Sequence, residues 1–145
     1  MNIKTVYMGE ITIDPSEILH FAHGIPGFEE ENKFILLPLE ENSTFQILQS
    51  IKTEQLAFII TSPYSVVSDY SFDIDEATVK ALDIKNEDEI AVFAIVTLKD
   101  SLRNSTINLK APIVLNTINK KAKQVILDKD NYAIRHKLKF ESVKG

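Results

Sequence analysis

Phe21-Ala22-His23-Gly24-Ile25-Pro26-Gly27-Phe28-Glu29 separates two strand-like stretches and holds two of the four glycines and one of the five prolines in this chain of 145 residues. Pro26 fixes its own φ and pushes Ile25 toward extended backbone, while Gly27 can take positive φ. Pro at the second position and Gly at the third predict a type II turn over 25–28, which would hold Ile25 and Phe28 close together. Two readings of Phe28 follow: it plugs the end of a barrel, or it anchors a partner. Three acids in a row come next, Glu29, Glu30 and Glu31.

Outward from this turn the chain reads mostly as short strands. Residues 3–6 and 10–13 suggest a hairpin or a bent strand, and 18–21 a strand leading into the turn. Downstream, 34–39 is a strand that Pro38 would demote to an edge or mark with a bulge. Residues 44–50 alternate, and 56–61 are denser, as in a central strand. Residues 70–74 read as a short edge strand. The best helix candidate is 75–82, capped by Asp73 or Asp75, with Ala77, Ala81 and Leu82 on one face. Residues 90–97 form the strongest strand, apolar on both sides. Strands are also expected over 105–109, 113–116 and 122–127, with breaks at Pro112 and Asn119-Lys120. Residues 132–140 suit a short helix or a basic strand. Polar turns fall at 40–42 and 100–104. The pattern predicts a mostly β chain: a small, largely antiparallel β-barrel of short strands with one or two short helices, forming a single domain over 1–145. A doubly wound sheet would need long crossover helices, for which there is no sequence signal.

The composition narrows the function classes. No cysteine is present, which removes disulfides and thiolate metal sites. The first residues lack a hydrophobic signal core, and the longest apolar run, 90–96, is far short of the ~20 residues a membrane helix takes. A cytoplasmic location and no membrane association are expected. The net charge of -5 conceals an asymmetry: residues 1–98 carry 5 Lys and Arg against 17 Asp and Glu, and residues 99–145 carry 11 against 4. If that division survives folding as two faces, it would steer a charged partner.

Signals for catalysis or cofactors are weak. His20 and His23 lie three apart in a strand-like context, where the rings need not converge on a metal. The acidic clusters at 73–76 and 128–131 lack the glycine and closing glutamate of a calcium loop. No Gly-x-Ser-x-Gly and no glycine-rich phosphate loop occurs. No enzyme activity and no cofactor are expected. Single-stranded nucleic acid is the alternative ligand: Lys120, Lys121, Lys123, Lys129, Arg135, Lys137 and Lys139 make the C-terminal third basic, with Tyr132 and Phe140 interleaved. A second tract, 105–116, places Asn108, Lys110 and the small Ala111 just before Pro112, where a bent strand could leave backbone groups free for a partner segment.

Read together, Gly24-Ile25-Pro26-Gly27-Phe28-Glu29, Gln49-Ser50, Leu56-Ala57-Phe58, Ser62-Pro63, Asn108-Leu109-Lys110-Ala111-Pro112-Ile113 and Gln124-Val125-Ile126-Leu127 resemble, in order and across most of the chain, the bacterial flagellar assembly factor family FliW. The resemblance implies a non-enzymatic protein with two protein partners. One is flagellin, held before export. The other is the RNA-binding translational repressor CsrA, antagonised allosterically, away from the face that grips RNA, so that flagellin synthesis follows assembly. No direct contact with nucleic acid is implied. On this footing Ile25, Phe28 and Pro63 are expected near an interface, with Phe28 its energetic anchor. Glu29, Glu30 and Glu31 would form an acidic patch, and Asn108 and Lys110 would make polar contacts. Asn108 capping a turn and Lys110 standing in solvent are the structural alternatives. The basic run Lys120-Lys121-Ala122-Lys123 departs from what an imitator of RNA phosphates would carry, and suits an antagonist acting away from the RNA site.

Overall fold

A computed structural model describes residues 1–39, 44–100, 104–128 and 131–138. The expected turns at 40–42 and 100–104, together with Lys129, Lys139 and Phe140, fall wholly or partly outside them. The strands run in the order β1 (Asn2–Thr5), β2 (Gly9–Thr12), β3 (Leu19–Phe21), β4 (Lys33–Pro38), β5 (Gln46–Ser50), β6 (Ala57–Thr61), β7 (Ile90–Thr97), β8 (Thr106–Ile107), β9 (Ile113–Asn116), β10 (Lys121–Gln124) and β11 (His136–Lys137). One α-helix, α1 (Glu76–Ala81), lies between β6 and β7, and three short 3-10 turns complete the described elements.

Seven strands close on themselves. Antiparallel pairing runs from β3 through β4, β5, β6, β7 and β9 to β10, and β10 returns to β3 in parallel, with Lys121 opposite His20 and Ala122 opposite Phe21. The mostly β, largely antiparallel barrel is therefore what forms. β7 is long enough to serve two neighbours on one flank. Ile90 to Phe93 pair with β9, and Val96 and Thr97 pair with β8, which carries β11 on its outer edge. β1 and β2 form a separate hairpin.

Alternation along the strands builds two apolar layers. Leu19, Phe21, Phe34, Leu48, Ile60 and Ile113 belong to an inner cluster drawn from around the barrel wall. The opposite faces of β4 to β7, through Ile35, Ile47, Ile59 and Ala94, join an outer cluster with Ile3 of the hairpin and with Tyr70, Leu109 and Leu127 from the connecting segments. Two-sided burial explains why β7 reads as apolar throughout. Each fully buried aliphatic or aromatic side chain contributes about 1.5–3 kcal/mol.

Three local expectations are corrected and one open choice is decided. Pro38 does not make β4 an edge strand, because β4 lies between β3 and β5. It is the last residue of the strand. Leu39 donates to Phe45 across to β5, so by alternation the missing amide of Pro38 points to the other flank, where β3 pairs only as far as Phe34. Residues 70–74 are not a strand: Tyr70 is buried with its hydroxyl donating to the Leu109 carbonyl at 2.8 Å, and the Tyr132 hydroxyl, not a ladder, holds both backbone groups of Ser71. The helix is capped by Asp75, whose carboxylate accepts from Thr78 N, but it turns Thr78 and Leu82 inward and leaves Ala77 and Ala81 exposed. Within 132–140, the two residues of β11 form a strand and not a helix. Among the described residues no helix is long and apolar enough to cross a membrane.

Candidate partner-binding site

The turn at 25–28 has the predicted geometry. Gly27 sits at φ 89°, and Phe28 N–H donates to the Ile25 carbonyl at 2.6 Å, with Ile25 N–H returning to the Phe28 carbonyl at 3.4 Å. Gly24, at φ 67°, packs where a Cβ would lie 2.6 Å from the carbonyl oxygens of both Phe28 and Glu29. Gly27 N–H also donates to the Glu29 carboxylate at 3.1 Å. The loop is thus fixed at three consecutive points.

It sorts its two apolar side chains in opposite directions. Ile25 enters the inner core with 2% exposure, whereas Phe28 stays 42% exposed. The Phe28 ring meets Phe58 edge-on at 5.7 Å, Phe58 lies 6.2 Å from Phe34, and Phe34 lies 5.3 Å from Phe21. A file of four rings therefore runs from the core to the surface, with Phe28 as its outer end. Phe28 is neither a buried plug nor a loose side chain, but a supported aromatic on a rigid turn.

The 108–112 tract arrives beside this turn. Ile25, Pro26, Phe58, Asn108, Lys110 and Gln124 line a groove of about 330 Å³, whose remaining wall includes Ile126 and Ile134, 54% and 59% exposed. Two segments more than 80 positions apart in the chain, Ile25-Pro26 and Asn108-Lys110, thus share one surface. Asn108 also shapes its own turn, its carboxamide oxygen accepting from Lys110 N at 3.0 Å and Ala111 N at 3.1 Å. The expectation of free backbone here is overturned. Asn108 and Leu109 N–H donate to the carbonyls of Ile95 and Ala133. The carbonyls of Lys110, Ala111 and Pro112 accept from Leu127 N, Gln124 Nε2 and Val125 N. What this tract offers a partner is side chains.

The three acids separate. Glu29 is tied to the turn, Glu30 is exposed, and the Glu31 carboxylate accepts from the hydroxyls of Thr53 at 2.6 Å and Ser50 at 2.7 Å. These two bonds, Thr53 first, lower the Glu31 pKa below its ordinary value of 4.5. Pro63 is buried at the start of a 3-10 turn capped by Ser62, at the opposite end of β6 from Phe58, so it does not share the groove. Sequence reasoning missed Gln49. Fully buried, it accepts from Val6 N at 3.0 Å and donates Nε2 to carbonyls of the 50–56 loop, which binds the hairpin to the loop holding Glu31. A glutamine alternating with Ile47 on one face of an apolar strand was the available signal.

Across Pro26 and Gln124, which line both, a second groove of about 320 Å³ opens. His20, His23, Glu29, Leu82, Lys121 and Lys123 lie along it. Among the described residues no group of three or more metal-ligating side chains gathers. Of the two aromatics interleaved in the basic C-terminal third, Tyr132 is otherwise engaged: its ring meets Tyr70 at 4.5 Å, tilted by 49°, and its hydroxyl bonds Ser71.

Barrel, ring file and groove define a class: a small closed β-barrel that presents a supported apolar turn beside a groove. The family model described as FliW protein matches residues 2–138, and the chain belongs to the FliW family. It is 47% identical to the flagellar assembly factor FliW of Oceanobacillus iheyensis, covering 92% of this chain and 90% of that one. It is 44% identical to the flagellar assembly factor FliW of Bacillus subtilis, over 98% and 99% of the two chains. A crystal structure of the flagellar assembly factor FliW superposes with a TM-score of 0.91 at 40% identity, covering 99% of this chain and all of the other.

Proposed function

We propose that this protein is a cytoplasmic regulator of flagellar assembly that works by binding two proteins, without a cofactor and as one domain over 1–145. It sequesters flagellin before export and, when free of flagellin, antagonises CsrA, so that translation of flagellin follows its secretion. Membership of the FliW family is the observation that supports this reading, and the supported, exposed Phe28 beside the groove favours that surface for it. Phe28 is the anchor, Lys110 and the Asn108 amide supply polar contacts at the groove wall, and Glu29 and Glu30 provide the accessible part of the acidic patch. Ile25 acts from beneath, as the buried foot of the turn. Glu31 and Pro63 hold the neighbouring loops in shape.

Antagonism requires that the protein bind RNA-free CsrA more tightly than RNA-bound CsrA, since equal affinity shifts no equilibrium. RNA is then reached only through the repressor. The test is a titration of CsrA with a flagellin leader RNA at increasing concentrations of this protein, repeated with flagellin added. Weakened RNA binding that flagellin restores is the expected result. An RNA affinity unchanged at saturation would refute the antagonism, and an absence of complex with purified flagellin would refute the sequestration.

A further inference from the structure

The two grooves meet at Pro26 and Gln124, and their chemistry differs from one end to the other. Near Ile126 and Ile134 the wall is apolar, with Lys110 its one charged lining residue. Past Pro26 the lining keeps buried apolar groups in Leu82 and Ala122, but gains Lys121 and Lys123 with His20 and His23. The opposing charges are Glu29 on the rim, whose carboxylate already accepts from Gly27 N, and Asp75, near enough to Lys123 to feel its charge. A cationic trough on a chain of net charge -5 is a local exception. It arises from one topological fact: the parallel pairing of β10 with β3 sets Lys121 beside His20.

From this juxtaposition we infer that the two grooves form one continuous track for a single partner segment, whose apolar side chains fill the Phe28 half and whose carboxylates lie on Lys121 and Lys123. The occupant is a peptide segment of flagellin, apolar at one end and acidic at the other. The inference rests on the partner-binding reading above and adds the direction and charge of what is bound. The apolar half supplies affinity, and the two lysines set orientation and the salt dependence of capture.

Purified flagellin is the probe, titrated against the whole protein and against two variants at low and at physiological salt. Lys121→Gln with Lys123→Gln should weaken binding by roughly three- to tenfold at low salt and flatten its salt dependence. Phe28→Ala should weaken binding at both salt concentrations and leave the salt dependence in place. Thermal melts of each variant check the fold, and Lys121→Arg with Lys123→Arg should restore the salt response where the glutamines remove it. If flagellin binds the wild type, and the glutamine variant, folded, keeps the wild-type affinity and salt response, the continuous track is wrong while the Phe28 site stands. If flagellin does not bind the wild type, the underlying function is wrong. If the glutamine variant loses the salt response and arginine does not return it, the lysines act through the fold and the track is again refuted.

Discussion

Truncating Phe28 separates a supported surface ring from a core residue. The ring is 42% exposed, so Phe28→Ala returns a little over half of a phenylalanine's buried area to water, worth about 1–1.5 kcal/mol of the ~1.5–3 kcal/mol for full burial. Loss of the edge-to-face contact with Phe58 adds about 0.5–1.5 kcal/mol. The expected destabilisation is about 1.5–3 kcal/mol. Phe34→Ala, two rings deeper and 0% exposed, should cost about 3–5 kcal/mol because it also leaves a cavity. Urea denaturation followed by ellipticity measures both, with the slope m checked for constancy. Flagellin binding by calorimetry should then fall about thirtyfold for Phe28→Ala, the loss of ~2 kcal/mol that marks a binding hot spot. Equal destabilisation by the two substitutions would refute the account of Phe28 as the outer end of the ring file. Unchanged flagellin affinity in a folded Phe28→Ala variant would refute its role as anchor.

Two further outcomes follow from the geometry of the same region. Gly24→Ala meets two backbone oxygens that cannot retreat without opening the 25–28 turn, and it places alanine at positive φ; Gly27→Ala meets nothing within 4 Å and suffers only the φ penalty. Thermal melting should show Gly24→Ala losing about 3–5 kcal/mol, roughly 10 °C or more, and Gly27→Ala about 1–2 kcal/mol; equal losses would remove the close-approach argument. Glu31 is stabilised as the carboxylate, so its contribution is fully present above its unfolded value near 4.5 and is lost as pH falls through its lower folded value. Glu31→Gln should therefore flatten the pH dependence of stability below about pH 4.5 in acid titrations at fixed urea, leaving the part due to Asp14 and Asp75, whose pKa values are also lowered. An unaltered acid profile would show that the Thr53 and Ser50 bonds do not persist in solution.

The legible parts of this fold share a cause. Pro26-Gly27 was readable because few backbone conformations accept proline followed by glycine at positive φ. Residues 90–97 were readable to the residue because a strand buried on both faces leaves no polar interruption. The misread parts depend on partners far away in the chain. Residues 70–74 carry a strand-like alternation, yet Tyr132, about sixty positions on, takes the hydrogen bonds that a ladder would have used. Of the helix face read as Ala77, Ala81 and Leu82, Leu82 does turn inward; a small alanine side chain gains little from burial, and Thr78 takes the remaining place. Proximity of the 25–28 turn to Asn108 and Lys110 had no local signal in the sequence, and the barrel alone brings them together.

The charge division shows the same dependence on topology. An acidic first two thirds and a basic last third suggest two opposed faces, but β10 returns to β3 and sets the basic run among acidic neighbours. Lys120 Nζ comes within 3.8 Å of Glu17, the Asp75 pKa is lowered first by hydrogen bonding from Thr78 and only then by Lys123, and Lys121 shares its groove with Glu29. Exposed contacts of this kind add little stability. Their consequence is for recognition. Opposite charges interleaved at this seam cancel beyond about a Debye length of 8–10 Å, so the seam offers a distant partner little net field. A segment already seated in the groove still meets Lys121 and Lys123 individually. The lysines should therefore act mainly after encounter, on the dissociation rate and the direction of the bound segment. Stopped-flow association rates for flagellin that fall in the Lys121→Gln, Lys123→Gln variant as much as its affinity does would show that the asymmetry acts at long range after all.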